Sequence, residues 1–159
     1  MSITVLEYLF YQPVQMDLRC PMYRTTLNVT SAKEGDIIDI TPLVKKAVTE
    51  SRIQSGLVNL FVQHSTAALT TIEYEPGVLA DLRRALSVLA PDNAEYAHNR
   101  RWGDGNGRSH VKAALVGPSL TVPVADGELM TGTWQQLVLL ELDVNAGRKR
   151  EIICTVSGT

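Results

Sequence analysis

Apolar and polar residues begin to alternate at Thr25: Leu27 and Val29 interleave with Thr26, Asn28 and Thr30, the pattern of a strand with one buried face. Lys33-Glu34-Gly35-Asp36 then reads as a turn. In Ile40-Thr41-Pro42 a threonine N-cap stands before proline at the first helical position. Leu43, Val44, Ala47 and Val48 recur at helical spacing, which predicts a helix ending near Arg52. After Gly56 the run LVNLFVQH alternates again, with Val58, Leu60, Val62 and His64 on one strand face and Leu57, Asn59, Phe61 and Gln63 on the other. Pro76 opens a second helix with an apolar stripe of Val78, Leu79, Leu82, Leu86 and Leu89, stopped by Pro91-Asp92-Asn93. The polar stretch from Tyr96 to Arg108 contains HNRRWGDGNGR, too irregular for a core element. Ser109 is then placed to cap a short helix carrying Val111, Ala114, Leu115 and Val116. Strand character returns in SLTVPV, TWQQLVLLELD and REIICTV, with turn signals at Asp126-Gly127 and Asn145-Ala146-Gly147.

These elements predict an α+β class: one compact domain over residues 22–159, a largely antiparallel sheet with two or three helices packed on it, preceded by an N-terminal extension over residues 1–21. No repeat, linker or low-complexity stretch divides the chain. Several strands are apolar on both faces, so helices are expected on one side of the sheet and further copies of the chain on the other.

Composition narrows the partners. The 159 residues carry fifteen Lys and Arg against seventeen Asp and Glu, a formal net charge of -2, so no global cationic field attracts nucleic acid. The first thirteen residues have no basic n-region and are interrupted by Glu7, and no later run approaches the roughly 18 apolar residues of a span. A cytoplasmic protein with no membrane partner is expected. Cys20 and Cys154 then read as two free thiols.

Candidate chemistry centres on three histidines in polar, element-terminal settings: His64 at a strand end before Ser65-Thr66, His98 in the long loop, and His110 at the start of a short helix. Imidazole binds transition metals and moves protons near neutral pH, so their convergence would make a site. Their spacing matches no compact zinc signature, and local hydrogen bonding of each histidine is the plain alternative. Glu73 and Asp104 are the carboxylates able to complete a metal shell or act as a base, although a charge before the second helix would also suit Glu73. The glycines of WGDGNGR before a helix form a potential anion cradle, with Arg100, Arg101, Arg108 and Lys112 adding positive charge; a solvated loop is the other reading. In Gly132-Thr133-Trp134-Gln135 the indole is suited to stack on a flat ligand or to fill the core, the commoner use.

Taken in order, His64-Ser65-Thr66-Ala67-Ala68-Leu69-Thr70, Glu73, His98, His110 leading into Val111-Lys112-Ala113-Ala114-Leu115-Val116-Gly117, Ser119-Leu120-Thr121-Val122-Pro123-Val124 and Gly132-Thr133-Trp134-Gln135 resemble the YjbQ family, also described as secondary thiamine-phosphate synthase enzymes. The resemblance runs from about Thr25 to the C-terminus. It implies a homotrimer with a polar pocket near the subunit boundaries. In that pocket His64, Glu73 and His110 would be catalytic, and His64, His98 and His110 would hold a divalent metal, zinc or magnesium. Ser65, Thr66, Arg100, Asp104, Arg108, Ser119, Thr133, Trp134 and Gln135 would contact a small phosphorylated metabolite or phosphate-like anion. The implied reaction is a weak thiamine-phosphate synthase transfer, joining a pyrimidine-methyl diphosphate to a thiazole phosphate; the alternative is a trimeric metal- or anion-binding protein without turnover. Where family members commonly have Asn-Glu, this chain has Ile72-Glu73.

Overall fold

The computed structural model describes residues 21–145 and 147–159. Residues 1–20 of the expected extension, with Cys20, lie outside the described residues. In chain order the elements are β1 (Met22–Thr30), β2 (Ile37–Asp39), α1 (Thr41–Ser51), β3 (Ser55–Val62), β4 (Ala67–Ile72), α2 (Pro76–Leu89), α3 (Ala97–Trp102), α4 (Gly107–Val116), β5 (Ser119–Ala125), β6 (Glu128–Leu129), β7 (Gln136–Glu141) and β8 (Lys149–Gly158).

The α+β class holds, but the expected single sheet is two. A five-stranded sheet has the order β1-β8-β3-β5-β6 and a three-stranded sheet the order β2-β7-β4. Every pairing within them is antiparallel. The two-residue turn Asp126-Gly127, with φ of 52° and 73°, closes the β5–β6 hairpin in the left-handed geometry that matches strand twist.

β7 explains why one strand is apolar on both faces. Leu137 and Leu139 join β4 residues Ala67 and Leu69, helix α1 and the inner face of the larger sheet in one core. Val138 and Leu140 turn the other way and pack with Ala68, Leu79, Leu86 and Ala113 in a second core under α2 and α4. Each of the four fully buried β7 side chains, Leu137, Val138, Leu139 and Leu140, contributes about 1.5–3 kcal/mol. Both faces of β7 are thus covered within one chain, so its pattern does not require a second copy.

Local expectations shift where tertiary contacts compete with local pattern. Thr41 is the first helical residue, with Ile40 at the N-cap. The Asp39 carboxylate accepts the Thr41 N–H at 2.8 Å, and the Thr41 hydroxyl accepts the Leu137 N–H at 2.9 Å. Leu89 is 65% exposed, because the α2 stripe turns away from the core in its last turn. The stretch read as irregular contains α3, a fourth helix beyond the two or three expected. On α4 the N-cap is Asn106, while Ser109 is fully buried in the helix. Its core face is Ser109, Lys112 and Ala113, and Val111 and Leu115 are exposed. Among the described residues, no helix is long and apolar enough to cross a membrane.

Candidate functional site

The α3–α4 turn brings two of the three histidines together. Gly103, at φ 68°, closes α3 in the left-handed conformation, and Asn106 starts α4 three residues later. Gly107 must lack a side chain, since a Cβ there would stand 2.4 Å from Cβ of Tyr96. Its amide donates to Asn99 Oδ1 at 2.8 Å, and the Asn106 amide donates to Asp104 Oδ1 at 3.1 Å. Two loop amides that an anion cradle would use are therefore already satisfied within the chain.

The tight turn places the donor atoms of His98, Asp104 and His110 within 4.8 Å of one another. His98 Nε2 lies 3.2 Å from the Asp104 carboxylate, and the two imidazole rings are 4.5 Å apart at a tilt of 59°. His110 Nδ1 lies 3.1 Å from the Ser65 carbonyl, which can only accept; the proton therefore sits on Nδ1 and leaves the Nε2 lone pair free. The Asp104 carboxyl is held below its ordinary value, first by the Asn106 amide and then by the His98 ring, against some desolvation. Two imidazoles and a carboxylate are a three-ligand set that leaves coordination positions open.

His64 is not one of the converging donors. It follows β3, and its Nε2 accepts the Glu151 N–H at 3.3 Å, tying the ring to β8. Burial, with the nearby Arg150 charge second, lowers its pKa and keeps the ring neutral. Ser65 contributes its carbonyl, and Thr66 is buried in a polar network beneath the donors.

That network was not anticipated from the sequence. Glu141 is fully buried and receives Arg150 at both carboxylate oxygens, Nε at 2.7 Å and Nη2 in a second, closer contact, while the Ser31 hydroxyl donates to it at 2.7 Å. Arg150 also reaches the Thr66 hydroxyl at 3.1 Å, which in turn donates to Asp143 Oδ2 at 3.0 Å. Burial alone would raise the Asp143 pKa, yet the amide and side chain of Asn145, the Thr66 hydroxyl and Arg148 together hold it well below the usual carboxylate range. Asn106 links this network to the donors: its Nδ2 reaches Asp143 at 3.4 Å and its Oδ1 accepts the Val144 amide at 3.1 Å. The available signal was Glu141 and Asp143 interrupting the apolar run LVLLELD, with Arg150 nearby in sequence.

The other expected residues lie elsewhere. Arg108 grips Glu34 through two hydrogen bonds of 2.9 and 2.8 Å and also meets Asp92, and the exposed Arg100 pairs with Glu95. Ser119 opens β5 at an exposed position. Glu73 is exposed just past β4; Glu75, not Glu73, caps α2, accepting the Gly77 and Val78 amides. Ile72 packs against the second core. Trp134, placed in the core by the commoner reading, sits in a turn and is 71% exposed. Thr133 adjoins it, and Gln135 donates to Thr71 at 3.0 Å. Strand β4 pairs Ala67 with Glu141 at one end and Ile72 with Gln136 at the other. At about 3.4 Å per residue these ends are about 17 Å apart. His110, Ser65 and Thr66 therefore stand at one end of the small sheet, and Glu73, Thr133, Trp134 and Gln135 at the other.

The chain matches the family model described as "UPF0047 protein YjbQ-like" over residues 25–159. It is 42% identical over 127 residues to a UPF0047 protein of Archaeoglobus fulgidus, covering 80% of this chain and 95% of that one. It is 34% identical to UPF0047 protein YjbQ of Escherichia coli O157:H7, covering 86% and 98%. Among solved structures it is similar to a YbjQ-like protein of unknown function from Sulfolobus solfataricus, with TM-score 0.78, 30% identity and coverage of 87% and 99%. A conserved hypothetical protein from Thermus thermophilus aligns with TM-score 0.70 and 36% identity, covering 81% and 97%. The family match, the relatives and the shared fold lead to one conclusion: the chain belongs to the UPF0047, YjbQ-like family.

Proposed function

We propose that the chain holds a divalent metal, zinc before magnesium, on His98, Asp104 and His110, and binds a small phosphorylated metabolite at the open positions. The observation that carries this reading is the convergence of these three donors within 4.8 Å. Nitrogen ligands favour zinc over magnesium, which prefers oxygen. The Ser65 carbonyl orients His110, and the Asn106 amide keeps the Asp104 oxygens aimed at the same point, the kind of outer-shell support that tunes metal ligands. A metal held there supplies Lewis-acid stabilisation of charge on a departing phosphate or pyrophosphate. The family resemblance supports one reaction within this class, the thiamine-phosphate synthase transfer.

A head-to-tail homotrimer completes the reading: the Trp134 end of one protomer meets the His110 end of the next, so that one pocket draws on both ends of the small sheet. The exposure of Trp134, at 71%, supports it. Within one protomer Glu73, the expected base, stands at the far end of β4 from His110, so a pocket that is not shared between subunits favours the second reading, metal and anion binding without turnover.

Metal content and zinc titration of the intact protein test the proposal. We expect one zinc per chain, with affinity falling at least about 100-fold in His98→Ala and His110→Ala and little in His64→Ala. Equal zinc affinity in folded His98→Ala protein would overturn the metal site. Pyrophosphate release from the two thiamine precursors by zinc-loaded protein distinguishes turnover from binding alone.

A further inference from the structure

Lys112 follows His110 by two positions on α4, about 200° further round the helix, and so faces away from the metal donors. There it lines a pocket of about 270 Å³ beside α2 and the turn between β1 and β2. Its side chain is only 7% exposed and meets Asp92 Oδ1 at 3.1 Å, its one hydrogen-bond partner among the described residues. An ammonium carries three N–H donors, so two are left for an occupant of the pocket, and buried donors are costly to leave unmatched. Arg83 lines the same pocket; its Nε donates to the Gly35 carbonyl at 2.7 Å, which anchors the guanidinium while its terminal nitrogens keep their donors.

Each surrounding carboxylate has at least one oxygen engaged. Arg108 takes Glu34 and shares Asp92 with Lys112, Arg150 takes Glu141, and the Ala32 and Lys33 amides donate to Asp36. Ile37, Leu86 and Leu140 supply an apolar lining. The size sits just under the about 300–1,000 Å³ typical of ligand clefts, which limits the occupant to a few heavy atoms.

We propose that this pocket is a second ligand site, taking a small monocarboxylate with a branched aliphatic body. The carboxylate accepts hydrogen bonds from Lys112 Nζ and the Arg83 guanidinium, and the body packs on Ile37, Leu86 and Leu140. An amine with the same body would set its charge against Lys112 and the Arg83 guanidinium, and like charge rejects it.

Calorimetric titration of the full chain with isovalerate tests this, with isoamylamine as the same body on the opposite charge and acetate as the head group without the body. Saturable isovalerate binding is expected, with acetate at least tenfold weaker and isoamylamine silent. Lys112→Met should weaken isovalerate at least tenfold, and so should Ser87→Phe, which fills the pocket from an exposed position on α2 and decides the matter if Lys112→Met does not fold. His98→Ala should leave isovalerate binding unchanged. Absence of saturable binding, equal binding of isoamylamine, undiminished binding in Ser87→Phe, or loss in His98→Ala would each overturn the proposal.

Discussion

His110 and His64 show how one residue type is set to different tasks by the atom it faces. A carbonyl opposite His110 Nδ1 places the proton there and presents Nε2 as a lone pair, whereas a backbone N–H opposite His64 Nε2 uses that lone pair up. The His64 lone pair is thus directed to the backbone, and its lowered pKa has a consequence for stability. Unfolded His64 takes a proton as pH falls past about 6.5, before the folded ring does. Its contribution to stability is complete above that pH and is lost as pH falls toward the depressed folded value. Urea unfolding of His64→Gln should show a shallower loss of stability than wild type below pH 6.5. Parallel curves would remove His64 from the acid response. The three histidines were visible in the sequence as candidates, but which nitrogen His110 and His64 offer depends on partners 45 and 87 residues away.

At the scale of elements, the ends of β7 and β8 are joined by charge rather than by apolar packing. Arg150 is paired with Glu141, which is 0% exposed, so removing one partner leaves the other buried and uncompensated. Arg150→Met should destabilise the fold by about 3–5 kcal/mol, whereas Arg150→Met with Glu141→Leu should recover much of that loss. Chemical denaturation of both variants checks this, and equal destabilisation would show that the pair is not a unit. Because Asn106 hangs from the same network, Arg150→Met should also lower zinc affinity without touching a donor. Five strands, β1, β3, β5, β7 and β8, and the first two helices were legible from period and punctuation; β2 and β6 were not, being too short to show a period, nor was β4, whose first half is buried on both faces and so does not alternate. α3 was not, because its six residues, AHNRRW, bury no side chain and so show no apolar stripe.

At the scale of the molecule, His110, Ser65 and Thr66 stand at one end of the small sheet and Glu73, Thr133, Trp134 and Gln135 at the other, and a head-to-tail trimer would reunite the two ends across subunits. If sites are shared in this way, mixed trimers of His110→Ala and Trp134→Ala protomers should regain binding of thiamine monophosphate at about a quarter of their sites, although neither variant binds alone. Co-expression of two tagged variants followed by titration measures this; no recovery would mean that each protomer binds within itself.

The sequence by itself determined the class, five of the eight strands, the two longer amphipathic helices and the turn at Asp126-Gly127, because each rests on preferences exercised over a few neighbouring residues. Only the tertiary structure decided that the strands divide into two sheets, that β7 is covered on both faces by its own chain, and that His98 and His110 converge with Asp104 while His64 stays apart. Those outcomes depend on the β4–β7 register, which joins segments about seventy residues apart, and on the close Gly107–Tyr96 approach within the α3–α4 turn, neither of which the apolar pattern encodes.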